Sequence, residues 1–232
     1  VQLTISTPNG LIDGYLAVPS VEVSGEGPWP GVVVVHDILG FNDDVKQIAG
    51  RFASAGYVAI VPNMYSRGGA LRCVRGIFKA LSAGRGQAFD DIEAARKLIA
   101  GRGDCTGKIG VVGFCMGGGF ALLCAPRGFQ ASAPYYGMVP DDLALLDGAC
   151  PVVASFGKKD PSLKGAAAKL DEALTRLNVP HDVKEYPEAG HSFANRISPA
   201  ALVRVLGFGY HHEASEDAWR RVLAFFRQHL RG

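Results

Sequence analysis

Three runs of this chain are apolar without interruption and rich in β-branched residues: GVVVVH at 31–36, YVAIV at 57–61 and KIGVVG at 108–113. A strand with one face in water alternates apolar and polar residues. These runs do not, so each reads as a strand buried on both faces, the pattern of a parallel sheet covered by helices. Helical patterns separate them. Residues 42–55 place Ile48, Phe52 and Ala53 at helical spacing and stop at Gly56, and residues 90–100 and 116–125 read as two further helices. Strands alternating with helices predict an α/β chain with a doubly wound, mostly parallel sheet.

The remaining segments fit that frame. Residues 1–6 and 11–18 alternate in part and flank a Pro8-Asn9-Gly10 turn, which predicts an antiparallel hairpin at one sheet edge. Residues 131–136, 151–157 and 181–186 predict three more strands. Residues 162–177 predict an amphipathic helix. Residues 213–230 predict a closing helix with Trp219, Val222, Leu223 and Phe226 on one face. Residues 62–85 are rich in Gly and Arg, and the expectation there is an irregular excursion holding a short helix. No repeat or linker divides the chain, so one domain over 1–232 is expected.

Composition narrows the function classes. Nearly half of the 232 residues are hydrophobic and a fifth are charged, enough apolar material for a large core. The net charge is only +2 and no basic run stands out, so no nucleic-acid partner is expected. The five cysteines, Cys73, Cys105, Cys115, Cys124 and Cys150, form no C-x-x-C pair, which argues against a disulfide framework or a structural metal. Reduced thiols lead to the expectation of a cytoplasmic protein. No leader and no membrane span are read from the chain, and a monomer is the default expectation.

The chemistry-bearing feature is Gly113-Phe114-Cys115-Met116-Gly117-Gly118-Gly119, between the strand KIGVV and an apolar helix. This is a nucleophile elbow with Cys in place of Ser. The nucleophile sits on a sharp turn from strand to helix, and bulky neighbours two residues either side would collide with those elements. The turn also sets the sulfur beside a helix N-terminus, which favours the thiolate. A thiol needs a base, and the base needs an orienting group. In folds built on such an elbow the chain order is nucleophile, acid, histidine. Asp160 follows the strand PVVASFG and His191 follows the strand DVKEY, both just past strand C-termini, where open α/β sheets build their sites. Asp160-Pro161 also fits a simple turn or cap, and Glu188 competes as the acid. The loop His36-Asp37-Ile38-Leu39-Gly40 follows the first central strand. Its position assigns the Ile38 amide, with the Met116 amide, to an oxyanion hole. His36 either orients that loop or is simply a satisfied structural histidine. The remaining histidines, His181, His211, His212 and His229, read as surface residues.

Together HDILGFN, PNMYSRGG, GFCMGGG, GKKDP and AGHSF resemble the dienelactone hydrolase family, in register from about residue 31 to the C-terminus. The resemblance implies an α/β-hydrolase core of about eight strands, no metal and no organic cofactor. It implies a Cys115, Asp160 and His191 triad acting on a small ester or lactone through an acyl-thioester. It also implies an acidic residue at Asp37, usually Glu in the family, that holds the resting thiol until substrate arrives. Asp is one methylene shorter, and the alternative is a brace within the loop. Relatives that take dienelactones hold the substrate carboxylate with arginines. Asn195 stands where one is expected, with Arg196 next to it, and Arg72 or Arg75 matches the other. Ser192 would add a hydroxyl donor. Leu39 and Tyr65 would line the pocket, unless Tyr65 packs in the core. Three other readings stay open. One is a general carboxylesterase or thioesterase. Another is a non-catalytic ligand-binding module. The third is the glutamine amidotransferases, which also use a Cys elbow but carry Glu two residues after the histidine; this chain has Phe193 there and an Asp after an earlier strand instead, which argues against amide hydrolysis.

Overall fold

The computed structural model describes residues 1–196 and 209–231. Strands β1 (Gln2–Thr7) and β2 (Gly10–Ala17) form the expected antiparallel hairpin. Six strands follow: β3 (Trp29–Val35), β4 (Val58–Pro62), β5 (Cys105–Phe114), β6 (Ala131–Tyr135), β7 (Val152–Gly157) and β8 (His181–Tyr186). All eight join one sheet in the order β1-β2-β4-β3-β5-β6-β7-β8. From β4 to β8 every pairing is parallel, and the hairpin docks antiparallel on β4 through Gly14–Pro62 and Ala17–Ala59. The C-terminal ends of β3 to β8 therefore share one edge of the sheet.

The uninterrupted apolar runs work as two-faced strands. Along β3, Val33 and Val35 face one core layer while Val32 and Val34 face the other. The first layer is closed by α3 (Gly69–Ala83), α4 (Gln87–Ala100), α5 (Met116–Cys124) and α6 (Ala166–Arg176), with Leu81, Ile92, Phe120 and Leu170 buried against the strands. The second is closed by α2 (Asp43–Ser54) and α7 (His212–Leu230), through Phe52, Val222 and Phe226. A single turn, α1 (Val21–Ser24), precedes β3 and buries no residue.

Two expectations need correction. The excursion at 62–85 holds not a short helix but a 15-residue one, α3. It buries Ile77, Ala80 and Leu81 and stops at Gly84, which is left-handed at φ 63°. Only one face is apolar, and four glycines and arginines lie among its polar positions, which hid its period. The helix expected over 162–177 begins later, at Ala166. The Asp160 carboxylate takes the Ser162 N–H and hydroxyl into a turn, so the chain there is not free to start a helix. Among the described residues, no helix is long and apolar enough to cross a membrane.

Candidate active site

Strand β5 runs straight into α5, and the junction residue is Cys115 at φ 55° and ψ −116°. A non-glycine residue in this region is strained and persists only where its surroundings enforce it. Here the Cys115 N–H donates to the Tyr135 carbonyl at 3.1 Å, and its own carbonyl accepts from Gly119 at 3.1 Å. The glycines are required by contact. A Cβ on Gly113 would lie 1.9 Å from the Gly117 carbonyl oxygen, and one on Gly117 would lie 2.3 Å from that of Val35. The helix start is thus pressed directly onto the ends of β3 and β5.

Asp160 leaves the end of β7 and is 1 % exposed. Its two oxygens are separately engaged: Oδ1 accepts the Ser162 amide and hydroxyl, at 2.9 and 2.6 Å, and Oδ2 meets His191 Nδ1 at 2.5 Å. The turn-forming and ring-orienting readings of this aspartate are therefore both realised, one by each oxygen. Burial works against its charge, but the bonds from His191 and Ser162 outweigh it and hold the carboxyl below its ordinary range. Glu188, the competing acid, is exposed and paired with Lys159.

His191 lies on the loop after β8 and is buried. Burial alone would lower its pKa. The bond to Asp160, followed by a hydrogen bond to the Cys115 side chain and the charges of both partners, overrides that and raises it to about 9. The structure thus gathers Cys115, His191 and Asp160 at one place, with His191 bonded to Asp160 and interacting electrostatically with Cys115. Above it lies the loop after β3. Asp37 Oδ1 accepts the Leu39 N–H at 2.8 Å, and the Tyr65 hydroxyl donates to the Ile38 carbonyl at 3.0 Å. The side chains of Ile38 and Leu39 are exposed at 44 % and 52 %. Among the described residues, the N–H groups of Ile38 and Met116 donate to no protein acceptor. Burial raises the Asp37 carboxyl to about 6, against the opposing bond from Leu39.

A Cys elbow on a sheet of this order, with acid and histidine after the expected strands, matches the family model described as "Dienelactone hydrolase family" over residues 12–230. The chain belongs to the dienelactone hydrolase family. Its relatives include a candidate carboxymethylenebutenolidase of Yersinia pestis, 30% identical with 98% of this chain and 88% of that protein covered. A second, from Synechocystis, is 30% identical, covering 99% and 96%. Among solved structures, a candidate dienelactone hydrolase from Klebsiella pneumoniae superposes with a TM-score of 0.79 at 26% identity, 98% of each chain covered. A dienelactone hydrolase-like promiscuous phosphotriesterase from metagenomic libraries has a TM-score of 0.81 at 22% identity, covering 99% of this chain and 98% of that one, a likeness of fold.

As a dienelactone hydrolase family member this chain is a hydrolase with an α/β-hydrolase fold. The arginines expected to meet a substrate carboxylate, Arg72 or Arg75 and Arg196, all lie exposed. Arg72 is exposed and lines a cavity of about 250 Å3 with Arg67, Cys73 and Asp91. Arg75 is exposed on the same helix. Arg196 is also exposed, with its guanidinium 5.0 Å from the centre of the Tyr210 ring. Asn195 is buried and turned inward: its Nδ2 donates to Asp44 Oδ2 at 2.8 Å and its Oδ1 accepts from the Tyr136 hydroxyl. Ser192 is buried at φ 61°, and its carbonyl accepts the Asn195 N–H at 3.0 Å.

Tyr136 is the site neighbour that sequence reasoning missed. It is held at φ 36° just past the end of β6, with its ring centroid 5.2 Å from that of His191. Its position after a strand C-terminus was the available signal. Among the described residues no group of three or more His, Cys, Asp and Glu side chains is placed to hold a metal ion.

Proposed function

We propose that this protein hydrolyses small, uncharged esters or lactones with Cys115 as nucleophile. The observation that carries the reading is the chain Asp160–His191–Cys115 lying beside two backbone amides, those of Ile38 and Met116, that have no protein acceptor among the described residues. His191, oriented by Asp160, takes the Cys115 proton. The thiolate attacks the carbonyl carbon, and the negative charge moves to the oxygen facing the Ile38 and Met116 N–H groups. The C–O bond breaks, the leaving alkoxide or enolate takes a proton from His191, and an acyl-thioester remains. Water, deprotonated by His191, attacks the thioester and releases a carboxylic acid and the Cys115 thiol. An enolate leaving group suits this nucleophile, because no strongly basic alkoxide has to be expelled.

Asp37 contributes as the brace of the oxyanion loop through its bond to Leu39. Leu39 and Ile38 give the mouth an apolar rim, and Ser192 is buried next to His191 in the chain. The preference for uncharged substrates is supported by the outward positions of Arg72 and Arg196 and by the engaged Asn195. An anionic substrate would instead meet the carboxylate of Asp37.

The test is turnover of an activated aryl ester and a small lactone by wild type and Cys115→Ala. The alanine variant is expected to fold and to show no turnover. Retained hydrolysis would remove Cys115 from the mechanism. Pairing each neutral substrate with its carboxylated analogue tests the substrate class, with kcat/KM expected to favour the neutral member. Slow modification of Cys115 by a thiol reagent at neutral pH, together with no turnover in wild type, would favour a non-catalytic module.

A further inference from the structure

His36 closes β3 and is fully buried, yet the reaction above uses no atom of it. Both ring nitrogens have partners. The Met64 N–H donates to Nε2 at 3.2 Å, and Nδ1 lies 2.7 Å from the Asp37 carbonyl oxygen. A backbone N–H can only donate, so Nε2 is an acceptor, and the ring proton sits on Nδ1 and donates to Asp37. Burial keeps the ring neutral, lowering its pKa to about 4 against the bond to Asp37.

The Asp37 carbonyl shares one peptide unit with the Ile38 N–H. In a trans peptide the two groups point in opposite directions, and the one cis peptide among the described residues lies elsewhere, before Pro28. Drawing the carbonyl inward toward His36 therefore turns the Ile38 N–H outward. Three other polar groups of the loop are already committed. The Gly40 N–H also donates to the Asp37 carbonyl at 3.1 Å, the Leu39 N–H donates to Asp37 Oδ1, and the Ile38 carbonyl accepts from Tyr65. The second amide is tied to the same place: Gly117, the residue after Met116, packs so closely that a Cβ there would lie 2.6 Å from the His36 carbonyl oxygen.

We propose that His36 is a positioning residue for catalysis: its Nδ1–H sets the orientation of the Asp37–Ile38 peptide and so forms the Ile38 half of the oxyanion hole. This rests on the Cys115 reading above. A histidine that merely filled the core would need a ring but not a donor at Nδ1. One that merely braced the β4 loop would need only the acceptor at Nε2.

Two substitutions separate these roles. In His36→Asn the amide nitrogen falls near the place of Nδ1 and keeps a donor for Asp37 while losing Met64. In His36→Gln the amide oxygen reaches the place of Nε2 and keeps the acceptor for Met64 while losing the donor. With an activated ester, His36→Gln is expected to lower kcat about 100-fold, as loss of one oxyanion donor does, with KM little changed. His36→Asn is expected to stay within about tenfold of wild type, since its oxyanion donor is retained. Alkylation of Cys115 by iodoacetamide forms no oxyanion, so its rate is expected to be unchanged in both variants. The proposal is overturned if His36→Gln keeps its kcat, if His36→Asn falls as far as His36→Gln, or if alkylation slows in proportion to turnover. A Cys115→Ala variant that still turns over would instead overturn the nucleophile assignment. Nitrogen-15 spectra of histidine-labelled wild type need no variant to fold. They are expected to report the Nδ1–H tautomer for His36, and an Nε2–H tautomer overturns the proposal.

Discussion

His191 takes its charge state from two neighbours, Asp160 and Cys115. The Asp160 bond raises its pKa more than the Cys115 bond does, and burial opposes both. Titration of the His191 ring by NMR is therefore expected to give a value near 9 in the wild type and lower ones in Cys115→Ala and in Asp160→Asn. Equal values in all three would mean that neither partner sets the charge. Asp160→Asn is also expected to lower kcat by about 10³-fold or more, because the ring loses the group that fixes its tautomer. Asp37 gives a second residue-scale prediction. Its folded pKa of about 6 lies above the ordinary value of 3.8. Ionising it therefore costs the fold: the stability associated with its neutral form is complete below pH 4 and is lost as pH rises through 6. Asp37→Asn keeps an oxygen for the Leu39 N–H and removes that penalty. It is expected to stabilise the protein on the order of 3 kcal/mol at pH 7.5 and to change little at pH 4, as read by chemical denaturation at the two values. A gain of equal size at both would refute the assignment.

At the scale of elements, the elbow was legible because its glycines and its strand–helix setting are local features. What the sequence did not show is how unequal those glycines are. A Cβ on Gly117 meets two backbone carbonyls, at 2.3 and 2.6 Å, which cannot give way without moving β3 or the oxyanion loop. A Cβ on Gly119 meets only the end of the Leu81 side chain, at 3.1 and 3.2 Å, and a side chain can rotate. Gly117→Ala is expected to cost about 3 kcal/mol or more and to abolish turnover, while Gly119→Ala is expected to stay within about 1 kcal/mol of wild type. Melting temperatures and ester turnover of the two variants check this, and similar losses in both would refute it. Helix α3 was not legible as a long helix because its glycines and arginines hide an apolar face of only three buried residues, Ile77, Ala80 and Leu81. Asp160 shows the converse: the residue was legible from chain order, but its second bond, which delays α6 to Ala166, depends on where Ser162 folds back.

The whole molecule was legible where burial dictates pattern and obscure where distant polar groups meet. GVVVVH, YVAIV and KIGVVG announced a two-faced parallel sheet, but nothing in the Gly/Arg-rich segment announced the partner of Arg67. That guanidinium spans three parts of the fold. It grips Asp91 on α4 at 2.8 and 2.9 Å, Thr7 Oγ1 at the end of β1 at 2.7 Å, and the Asn9 carbonyl in the hairpin turn at 3.1 Å. It thus ties the antiparallel edge of the sheet to the helical layer, from a position two residues beyond the Tyr65 that holds the oxyanion loop. The Asp91 side chain is only 2% exposed, so removing its partner strands a buried carboxylate. Arg67→Met is therefore expected to destabilise the protein by roughly 3–5 kcal/mol. The double variant Arg67→Met/Asp91→Leu removes both charges and is expected to regain most of that loss, since a buried ion pair contributes little beyond an apolar pair of similar volume. Urea denaturation of the two variants decides between this account and a purely steric one, in which the second substitution would add to the damage of the first.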